Sequence, residues 1–355
     1  MKNLNGAAST PTGGGALPTP AAASSNLDWR RKYGGWIAVI VILAALCVIP
    51  FHMKFYHIEL SIIYFMSVIL AVSYRLVTTT GDWSFAHIIL QGVGAYATAL
   101  LAKHAGIPFI VMVPLAGLVT AAVGAIVMFP MLRTKGFAFF IASFAFGEFI
   151  RMIWMKVRVP FGGTGGIVNI PSPELFGLKL TSSVNYYFAC LAFTVAAVFI
   201  MWRLDRSRIG KAWKAIHTDD MLAECMGINV ARYRTQAFVV GSFFAGIAGA
   251  LLAYRMGSID PHNFEITQMV YLVIWVVIGG VSTFWGPLIG VTILTIAFEW
   301  SRPLLEWRPL MFGSLLIMFL IFLPGWIESL LPALKRPPGE HYARFRRWLT
   351  KNRPG

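Results

Sequence analysis

Residues 107–131 read IPFIVMVPLAGLVTAAVGAIVMFPM and contain no charged side chain. About 20 mostly apolar residues in an α-helix cross the ~30 Å hydrocarbon core of a bilayer, so this stretch predicts a transmembrane helix. Similar stretches precede and follow it. Together they give ten predicted spans, at residues 34–50, 57–77, 84–102, 107–131, 136–156, 184–203, 235–256, 267–283, 286–302 and 308–331. The sequence therefore predicts an all-α polytopic integral membrane protein with about ten transmembrane helices.

Two places leave the number of spans open. The first stretch, 34–50, is short, and the zone 267–302 is interrupted by Gly279-Gly280 and Gly286-Pro287. This zone is either two helices or one broken helix. Nine or eleven spans are therefore alternatives to ten.

The composition agrees with a membrane protein. Of the 355 residues, 57% are hydrophobic and 13% are charged, whereas soluble domains carry about 25% charged residues. This composition excludes a soluble enzyme and a disordered protein. A formal net charge of +15 can indicate that a protein binds nucleic acid or membrane lipid. With so apolar a chain, we expect lipid and no nucleic acid.

The basic residues indicate the orientation, because cytoplasmic loops of membrane proteins carry an excess of Lys and Arg. With the N-terminus in the cytoplasm, 21 of the 30 Lys and Arg residues fall on the cytoplasmic side of a ten-span chain. We therefore expect both termini in the cytoplasm. Two halves of five helices would form an inverted repeat, since five is odd.

The polar segments divide the chain. Residues 1–33, rich in Ala, Gly, Pro and Ser, predict a disordered cytoplasmic tail. The transmembrane domain follows at 34–334, with an external loop at 157–183 and a cytoplasmic loop at 203–235. The basic tail 335–355 predicts either a short helix on anionic headgroups or a solvated, disordered segment.

Motifs for catalysis, metal binding or nucleotide binding are absent from the sequence. The three cysteines are widely separated and form no CxxC or Cys/His cluster, so no metal site is expected. The stretch Gly162-Gly163-Thr164-Gly165-Gly166 is not a phosphate loop, because no Lys-Ser/Thr follows it and no strand precedes it. We therefore expect a protein that is not itself an enzyme.

The cytoplasmic loop is the most distinctive polar segment. Residues 211–226 have the composition of a helix, with Gly227 as a C-cap. Thr218 could cap a second short helix over 219–226. A short helix of this kind suits docking into a groove on a soluble partner. The alternative is a basic loop that only sets the topology.

Polar side chains also occur near the start of the third predicted span. Ser84, His87, Gln91 and Tyr96 include i+3, i+4 and i+5 steps, so several of them can share one helix face. Polar groups at membrane depth usually face a bundle interior or a watery cavity. They are candidates for a translocation path, although His87 is equally well explained as a buried structural residue. Asp82 is expected in the preceding turn, at the cytoplasmic surface.

Two acid–base pairs have helical spacing. Glu148 and Arg151 lie three residues apart near one end of a span, and Glu299 and Arg302 repeat that spacing. Residues at i and i+3 are neighbours on a helix surface, so we expect structural ion pairs. Neither pair has the unpaired central acids of a proton relay.

Four segments stand out, in this order. They are Gly81-Asp82-Trp83-Ser84-Phe85-Ala86-His87 with Gly92-Val93-Gly94-Ala95-Tyr96, Ala215-Ile216-His217-Thr218-Asp219-Asp220 with Ala223-Glu224-Cys225-Met226-Gly227, Phe244-Ala245-Gly246-Ile247-Ala248-Gly249, and Gly279-Gly280 with Trp285-Gly286-Pro287. Over about residues 58–331, the chain thereby resembles the permeases of branched-chain amino acid ABC transporters, and the second segment resembles their cytoplasmic coupling segment.

The resemblance implies that the cytoplasmic loop couples the chain to an ATPase. The residues expected to take part are His217, Asp219, Asp220, Glu224 and Gly227. His217 stands where the family usually has Arg, and Ile88 and Ile89 replace small residues. These departures concern the identity of the solute more than the class of protein.

The resemblance also implies a machine with several partners in the bacterial inner membrane. A second homologous permease would complete the pore, two ABC ATP-binding subunits would bind the ATP, and a periplasmic solute-binding protein would deliver the ligand. The chain itself would need no cofactor. We expect import of branched-chain amino acids or a related small polar solute such as urea, an amide or an aromatic acid. The alternative is an ion-coupled secondary transporter of small solutes.

Overall fold

The computed structural model describes residues 54–300, apart from 176–177, 180–181 and 282, together with residues 46–47, 50 and 313–314. The chain divides into two units, 1–53 and 54–355, and the first lies almost wholly outside the described residues. The predicted spans 34–50 and 308–331, the two tails and Arg302 also lie outside them, apart from 46–47, 50 and 313–314.

Residues 54–300 form ten α-helices and one small hairpin. The helices are α1 (Phe55–Thr78), α2 (His87–Ala105), α3 (Phe109–Met131), α4 (Phe137–Lys156), α5 (Ser183–Asp205), α6 (Arg208–Thr218), α7 (Asp220–Cys225), α8 (Val230–Met256), α9 (Ile266–Gly279) and α10 (Gly286–Trp300). Two 3-10 turns cover Gly163–Gly165 and Pro261–Phe264. The strands β1 (Glu174–Leu175) and β2 (Leu178–Lys179) pair antiparallel, with Glu174 opposite Lys179.

Eight of the ten predicted spans coincide with a helix. Six helical segments of the described part are long and apolar enough to cross a membrane, namely α1, α3, α4, α5, α8 and the segment Pro261–Gly279 that contains α9. Helix α2 is less apolar because it carries His87, Gln91, Lys103 and His104. Helix α10 is shorter, with 15 residues. The fold is therefore that of a multi-pass membrane protein.

The zone 267–302 contains two helices. Helix α9 ends at Gly279, Gly280 adopts φ 89°, and α10 begins at Gly286. A Cβ at Gly279 would collide with the carbonyl oxygen of Gly286, and one at Gly290 with that of Trp275. The glycines therefore allow the two helices to pack closely side by side.

Helix α8 is central to the described bundle and packs against α1, α2 and α3. Small residues make this possible, since Gly94 of α2 faces Gly246 of α8. A Cβ at Gly249 would collide with the backbone carbonyl oxygen of Gln91. Close approach through small residues is a common way for helices to associate in membranes.

The helices alternate in direction, which gives the bundle two ends. We call one the α6 end; it carries α6, α7, the α1–α2 turn, the α3–α4 turn and the α9–α10 turn. We call the other the hairpin end; it carries β1, β2 and residues 157–173. At the hairpin end, Ile167 and Ile259 form a two-way backbone bridge with N–O distances of 2.8 Å.

Candidate functional site

The segment between α5 and α8 folds as two short helices. Helix α6 begins after Ser207, whose hydroxyl oxygen accepts a bond of 3.3 Å from the Gly210 amide. Trp213 and Ile216 are buried, and the Trp213 indole donates to the Tyr233 carbonyl at 3.0 Å. Helix α6 is therefore anchored on the first turn of α8.

Helix α7 is capped by Asp219. Its carboxylate accepts from the backbone amides of Met221 at 2.9 Å and Leu222 at 3.1 Å. The expected cap, Thr218, is wrong because Thr218 ends α6 and its hydroxyl donates to the Lys214 carbonyl. Gly227 has φ 80° and its amide reaches the Glu224 carbonyl at 2.9 Å, which agrees with a glycine just beyond the helix end.

The five residues expected to couple the chain to a partner lie on or beside α7 in different settings. His217 and Glu224 are exposed at the surface. Asp219 is exposed and serves as the helix cap. Asp220 is partly buried and points back into its own chain, where it pairs with Arg234 and Lys135.

An apolar surface lies on α7 and at the residue that follows it. Met221, Leu222 and Met226 are 78%, 59% and 74% exposed. We call these three residues the α7 tip. The six residues of α7 bury one side chain, Ala223, which packs with Ile216 and Val230. Sequence reasoning recognised Met226 as part of a small apolar face but missed Met221 and Leu222, whose signal was their position between the acids Asp220 and Glu224.

A first group of charges joins α1, α5 and α6. Arg75 is fully buried, and its guanidinium donates to Asp205 at 3.0 Å and to the Val281 carbonyl at 2.8 Å. Lys214 approaches the other oxygen of Asp205 at 2.8 Å. A buried charge requires such multiple partners, since desolvation opposes its burial. Arg75 thereby fixes the α9–α10 turn to the ends of α1 and α5.

A second group of charges, which we call the Arg234 cluster, consists of Asp82, Lys135, Asp220 and Arg234. The Arg234 guanidinium pairs with Asp82 at 3.2 Å and with Asp220 at 3.1 Å. Lys135 reaches the same oxygen of Asp220 at 3.2 Å. These residues come from four separate parts of the chain, and sequence reasoning did not connect them.

Asp82 is not at the surface, as the sequence led us to expect, but 3% exposed. It lies in the turn between α1 and α2, outside both helices, where the start of α8 brings Arg234 against it. Burial raises the pKa of the Asp82 carboxyl to about 6, Arg234 opposes this rise, and Asp220 adds to it. Arg234 therefore offsets only part of the cost of burying the Asp82 charge.

The four candidate path residues lie inside the bundle. Ser84 and His87 are fully buried, Tyr96 is 2% exposed and Gln91 is 8% exposed. His87 Nε2 lies 2.9 Å from the Ser73 hydroxyl in a hydrogen bond. Tyr96 stacks on Trp154, with ring centroids 4.5 Å apart. These residues share α2 and the turn before it, but each is enclosed by neighbouring helices.

Several of these buried side chains keep unused hydrogen-bonding atoms. Among the described residues, His87 Nδ1 and the hydroxyls of Tyr96 and Tyr74 have no hydrogen-bond partner. The Tyr74 and His87 rings lie 5.3 Å apart. Buried polar atoms are satisfied in most proteins, so those that are not call for an explanation.

The predicted acid–base pairs fall toward the hairpin end. Arg151 donates to Glu148 at 2.7 Å, and a longer contact of 3.9 Å links Arg151 to Glu265. Glu299 accepts from the Tyr56 hydroxyl at 2.6 Å. Its expected partner, Arg302, lies outside the described residues.

Two cavities accompany these features. One, of about 120 Å³, is at the hairpin end and is lined by Ile62, Ser172, Pro173, Ser183, Tyr186, Tyr254 and Arg255. A much smaller one lies between α2, α4 and α9. The candidate path residues line neither. Within the described part of the chain, no group of three His, Cys, Asp or Glu residues could hold a metal ion.

Comparison with known proteins gives a family and several relatives. Residues 56–324 match the family described as branched-chain amino acid transport system / permease component. The chain is 32% identical over 272 residues to the high-affinity branched-chain amino acid transport system permease protein LivM of Salmonella typhimurium. It is 30% identical over 271 residues to LivM of Escherichia coli and 31% identical over 162 residues to LivH of Salmonella typhimurium.

The extent of these matches differs. Each LivM alignment covers 70% of this chain and 64% of the LivM protein. The LivH alignment covers 44% of this chain and 51% of LivH. No solved structure matches the chain. The family match runs from the second residue of α1 to beyond α10. The chain therefore belongs to the family of branched-chain amino acid transport permease components, which are membrane transport subunits rather than enzymes.

Proposed function

We propose that this chain is the membrane permease subunit of an ATP-driven importer of branched-chain amino acids or a related small polar solute. Membership of the permease family supports the transport of small solutes, and the LivM and LivH relatives are branched-chain amino acid permeases by name. In this proposal, both termini lie in the cytoplasm of a bacterium and the α6 end faces the cytoplasm. The proposal also includes ten transmembrane spans arranged as two inverted halves.

The partners follow from the same proposal. A second homologous permease forms the pore together with this chain, and the similarity to both LivM and LivH supports such a pair. Two ATP-binding subunits supply the energy, and a periplasmic binding protein delivers the solute. The chain holds no cofactor of its own, because ATP is bound by its partners.

The observation that carries the proposal is the exposed α7 tip. Met221 and Leu222 project from the six-residue helix α7, and Met226 directly follows it, at the end of the bundle where the polar segment 203–235 lies. An exposed group of large apolar side chains with a polar surround is typical of a protein–protein contact. The tip therefore suits insertion into an apolar groove of the ATP-binding subunit, with His217 and Glu224 at its margin.

The path is proposed to follow α2. Ser84, His87, Gln91 and Tyr96 are enclosed in the described state, and their unused polar atoms support a second state in which a solute or water contacts them. Movement of α7 with the ATPase would open this state as a rigid-body shift of helices.

The docking is tested with the chain co-expressed with the proposed ATP-binding subunits. Met221→Glu and Leu222→Glu place charges in an apolar contact, so we expect the ATPase to be lost from the purified complex. Removing apolar anchor residues at interfaces costs about 2 kcal/mol or more, which is about a 30-fold loss of affinity. Copurification in mild detergent measures this.

The matched control is Met256→Glu, at an exposed methionine of the hairpin end. It introduces the same charge but should leave the ATPase bound. Equal retention of the ATPase by all three variants would refute docking through the α7 tip. Uptake of labelled leucine, urea and an aromatic acid by the intact complex then distinguishes the solutes.

A further inference from the structure

We infer that Arg234 is a positioning residue that connects α7 to the α1–α2 turn, so that a displacement of α7 reaches the start of α2. The inference rests on the proposed function, because it concerns how a docked ATPase would act on this chain. Arg234 pairs with Asp220, which is next to Met221 of the α7 tip, and with Asp82, which lies two residues before Ser84 of the candidate path.

The first step is the geometry of the Arg234 cluster. Arg234, in the second turn of α8, makes ion pairs in two directions, to Asp82 at 3.2 Å and to Asp220 at 3.1 Å. Asp82 belongs to the turn before α2, and Asp220 is the first residue of α7. One planar guanidinium therefore joins three elements that are far apart in the sequence. The contact with Asp220 is a hydrogen bond, whereas the contact with Asp82 is an ion pair in which Arg234 Nε makes no hydrogen bond.

Burial decides which of these pairs matter. The side chains of Arg234 and Asp82 are 9% and 3% exposed, and that of Asp220 is 22% exposed. Lys135 is 60% exposed, so its pair with Asp220 is weakened by water. Two acids and two bases balance when all are ionised. Removing Arg234 would leave Asp82 buried without its ion-pair partner, whereas removing Lys135 would leave the central pairs intact.

The second step is the weak attachment of α7 by other means. Within the described part of the chain, its ionic contacts run through Asp220, because Asp219 is occupied as the cap and Glu224 is exposed without an ion pair. Its apolar attachment is the small side chain of Ala223. The pairs Asp220–Arg234–Asp82 are therefore the main polar link from α7 into the bundle.

The third step is where this link leads. Asp82 lies five residues before His87, the first residue of α2, and Ser84 lies between them. Helix α2 carries the remaining candidate path residues, Gln91 and Tyr96. A movement of α7 that displaces Asp220 and Arg234 would therefore also displace Asp82 and the start of α2, the helix on which the path is proposed. Two ends joined through one buried side chain give an energetic coupling that a mutation can remove.

The experiment compares Arg234→Gln and Asp220→Asn with the matched control Arg232→Gln. Arg232 lies two residues before Arg234 on α8 and is exposed, so Arg232→Gln removes the same charge without touching the Arg234 cluster.

The complex with its ATP-binding subunits is reconstituted in vesicles with the binding protein and labelled leucine, and uptake and ATP hydrolysis are measured together. We expect Arg234→Gln and Asp220→Asn to retain the ATPase subunits and to lower uptake per ATP by about fivefold or more. Arg232→Gln should match the wild type.

A double variant tests the link itself. If Asp82 and Arg234 act through one contact, Asp82→Asn combined with Arg234→Gln should lower uptake per ATP no further than Arg234→Gln does alone. Arg234→Lys should recover part of the coupling, since it keeps the charge. Independent, additive losses in the double variant would overturn the inference, as would unchanged coupling in Asp220→Asn.

A second measurement does not depend on transport. Amide hydrogen exchange of the purified chain in detergent reports local opening of α7. We expect the amides of residues 221–226 to exchange about fivefold faster or more in Arg234→Gln and Asp220→Asn, and at the wild-type rate in Arg232→Gln. Equal exchange in all variants would refute the link.

If exchange behaves as expected but the wild-type complex imports no solute with ATP, it is the proposed function that fails. Loss of the ATPase subunits from Arg234→Gln would assign Arg234 to docking and overturn the coupling role.

Discussion

At the scale of single residues, Asp82 is a charged turn residue whose side chain is buried inside the bundle. A polar turn between two membrane helices is expected to be solvated, yet Arg234 on α8 provides an ionic partner inside the bundle. The sequence contains both residues, but they are 152 positions apart, and nothing in their local pattern connects them. Only the packing of α8 against α1 and α2 brings them together.

The environment of Asp82 makes a prediction about stability and pH. Its pKa is raised from the ordinary carboxyl value of 3.8 to about 6, mainly by burial. A carboxyl with a raised pKa in the folded state stabilises that state when protonated, so its contribution grows as the pH falls through 6. Between pH 7 and pH 5 this amounts to about 1 kcal/mol, or about 2 °C in the unfolding midpoint.

The measurement compares thermal unfolding of the wild type and Asp82→Asn in detergent at both values of pH. Because asparagine does not titrate, the stability of the wild type relative to the variant should rise by about 1 kcal/mol between pH 7 and pH 5. Parallel pH profiles would contradict a titrating Asp82.

At the scale of helices, hydropathy and helix-ending residues such as glycine were sufficient to predict most of the bundle. Spans such as 57–77 and 107–131 agree with α1 and α3 within two residues at each end. The break at Gly279-Gly280 was visible, but the choice between one helix and two depended on packing that only the structure supplies. The cap of α7 was assigned one residue too early, because Thr218 and Asp219 are both good caps and tertiary contacts decide between them.

The packing of α2 on α8 makes a prediction about glycine. Gly249→Ala would place a methyl group against the carbonyl oxygen of Gln91, which belongs to a rigid helix backbone. Forcing extra volume into a packed contact costs about 1–3 kcal/mol. We therefore expect a lower thermal midpoint for purified Gly249→Ala. Gly165→Ala is the matched control, because no atom lies within 4 Å of a Cβ at that position. Equal midpoints for the two variants would show that α2 and α8 are not in close contact.

At the scale of the whole molecule, the family and the general architecture could be predicted from the sequence, while the arrangement of the candidate site could not. The coupling role of the segment 203–235 was expected from the resemblance to the permease family, because composition alone left a basic loop that only sets the topology as an alternative. The acids of this segment were the expected contacts for a partner, but Asp220 is directed into its own chain and the exposed surface is the apolar α7 tip. Sequence pattern alone does not tell which face of a six-residue helix is covered.

The proposed orientation and docking make a prediction about Cys225, which is free and exposed beside the α7 tip. In a chain with Cys47→Ser, a membrane-impermeant maleimide should label Cys225 in inside-out vesicles and not in intact cells. Bound ATP-binding subunits should slow this labelling about tenfold, by analogy with the loss of access at a buried interface. Cys190, which is buried, should remain unlabelled. Labelling of Cys225 from the outside of cells would reverse the proposed orientation.

The exposed residues at α7 and the acids that hold α7 in place are different residues. This separation affects how such transporters diverge and how they can be engineered. The exposed residues of the α7 tip, Met221, Leu222 and Met226, take no part in the Arg234 cluster. Asp219 instead caps α7, and Asp220 joins it to Arg234. Under the proposed docking, these exposed residues can change to fit a different ATPase while Asp219 and Asp220 stay constant. Exchanging only these three side chains between related permeases should transfer the choice of ATPase and leave solute selectivity where it was.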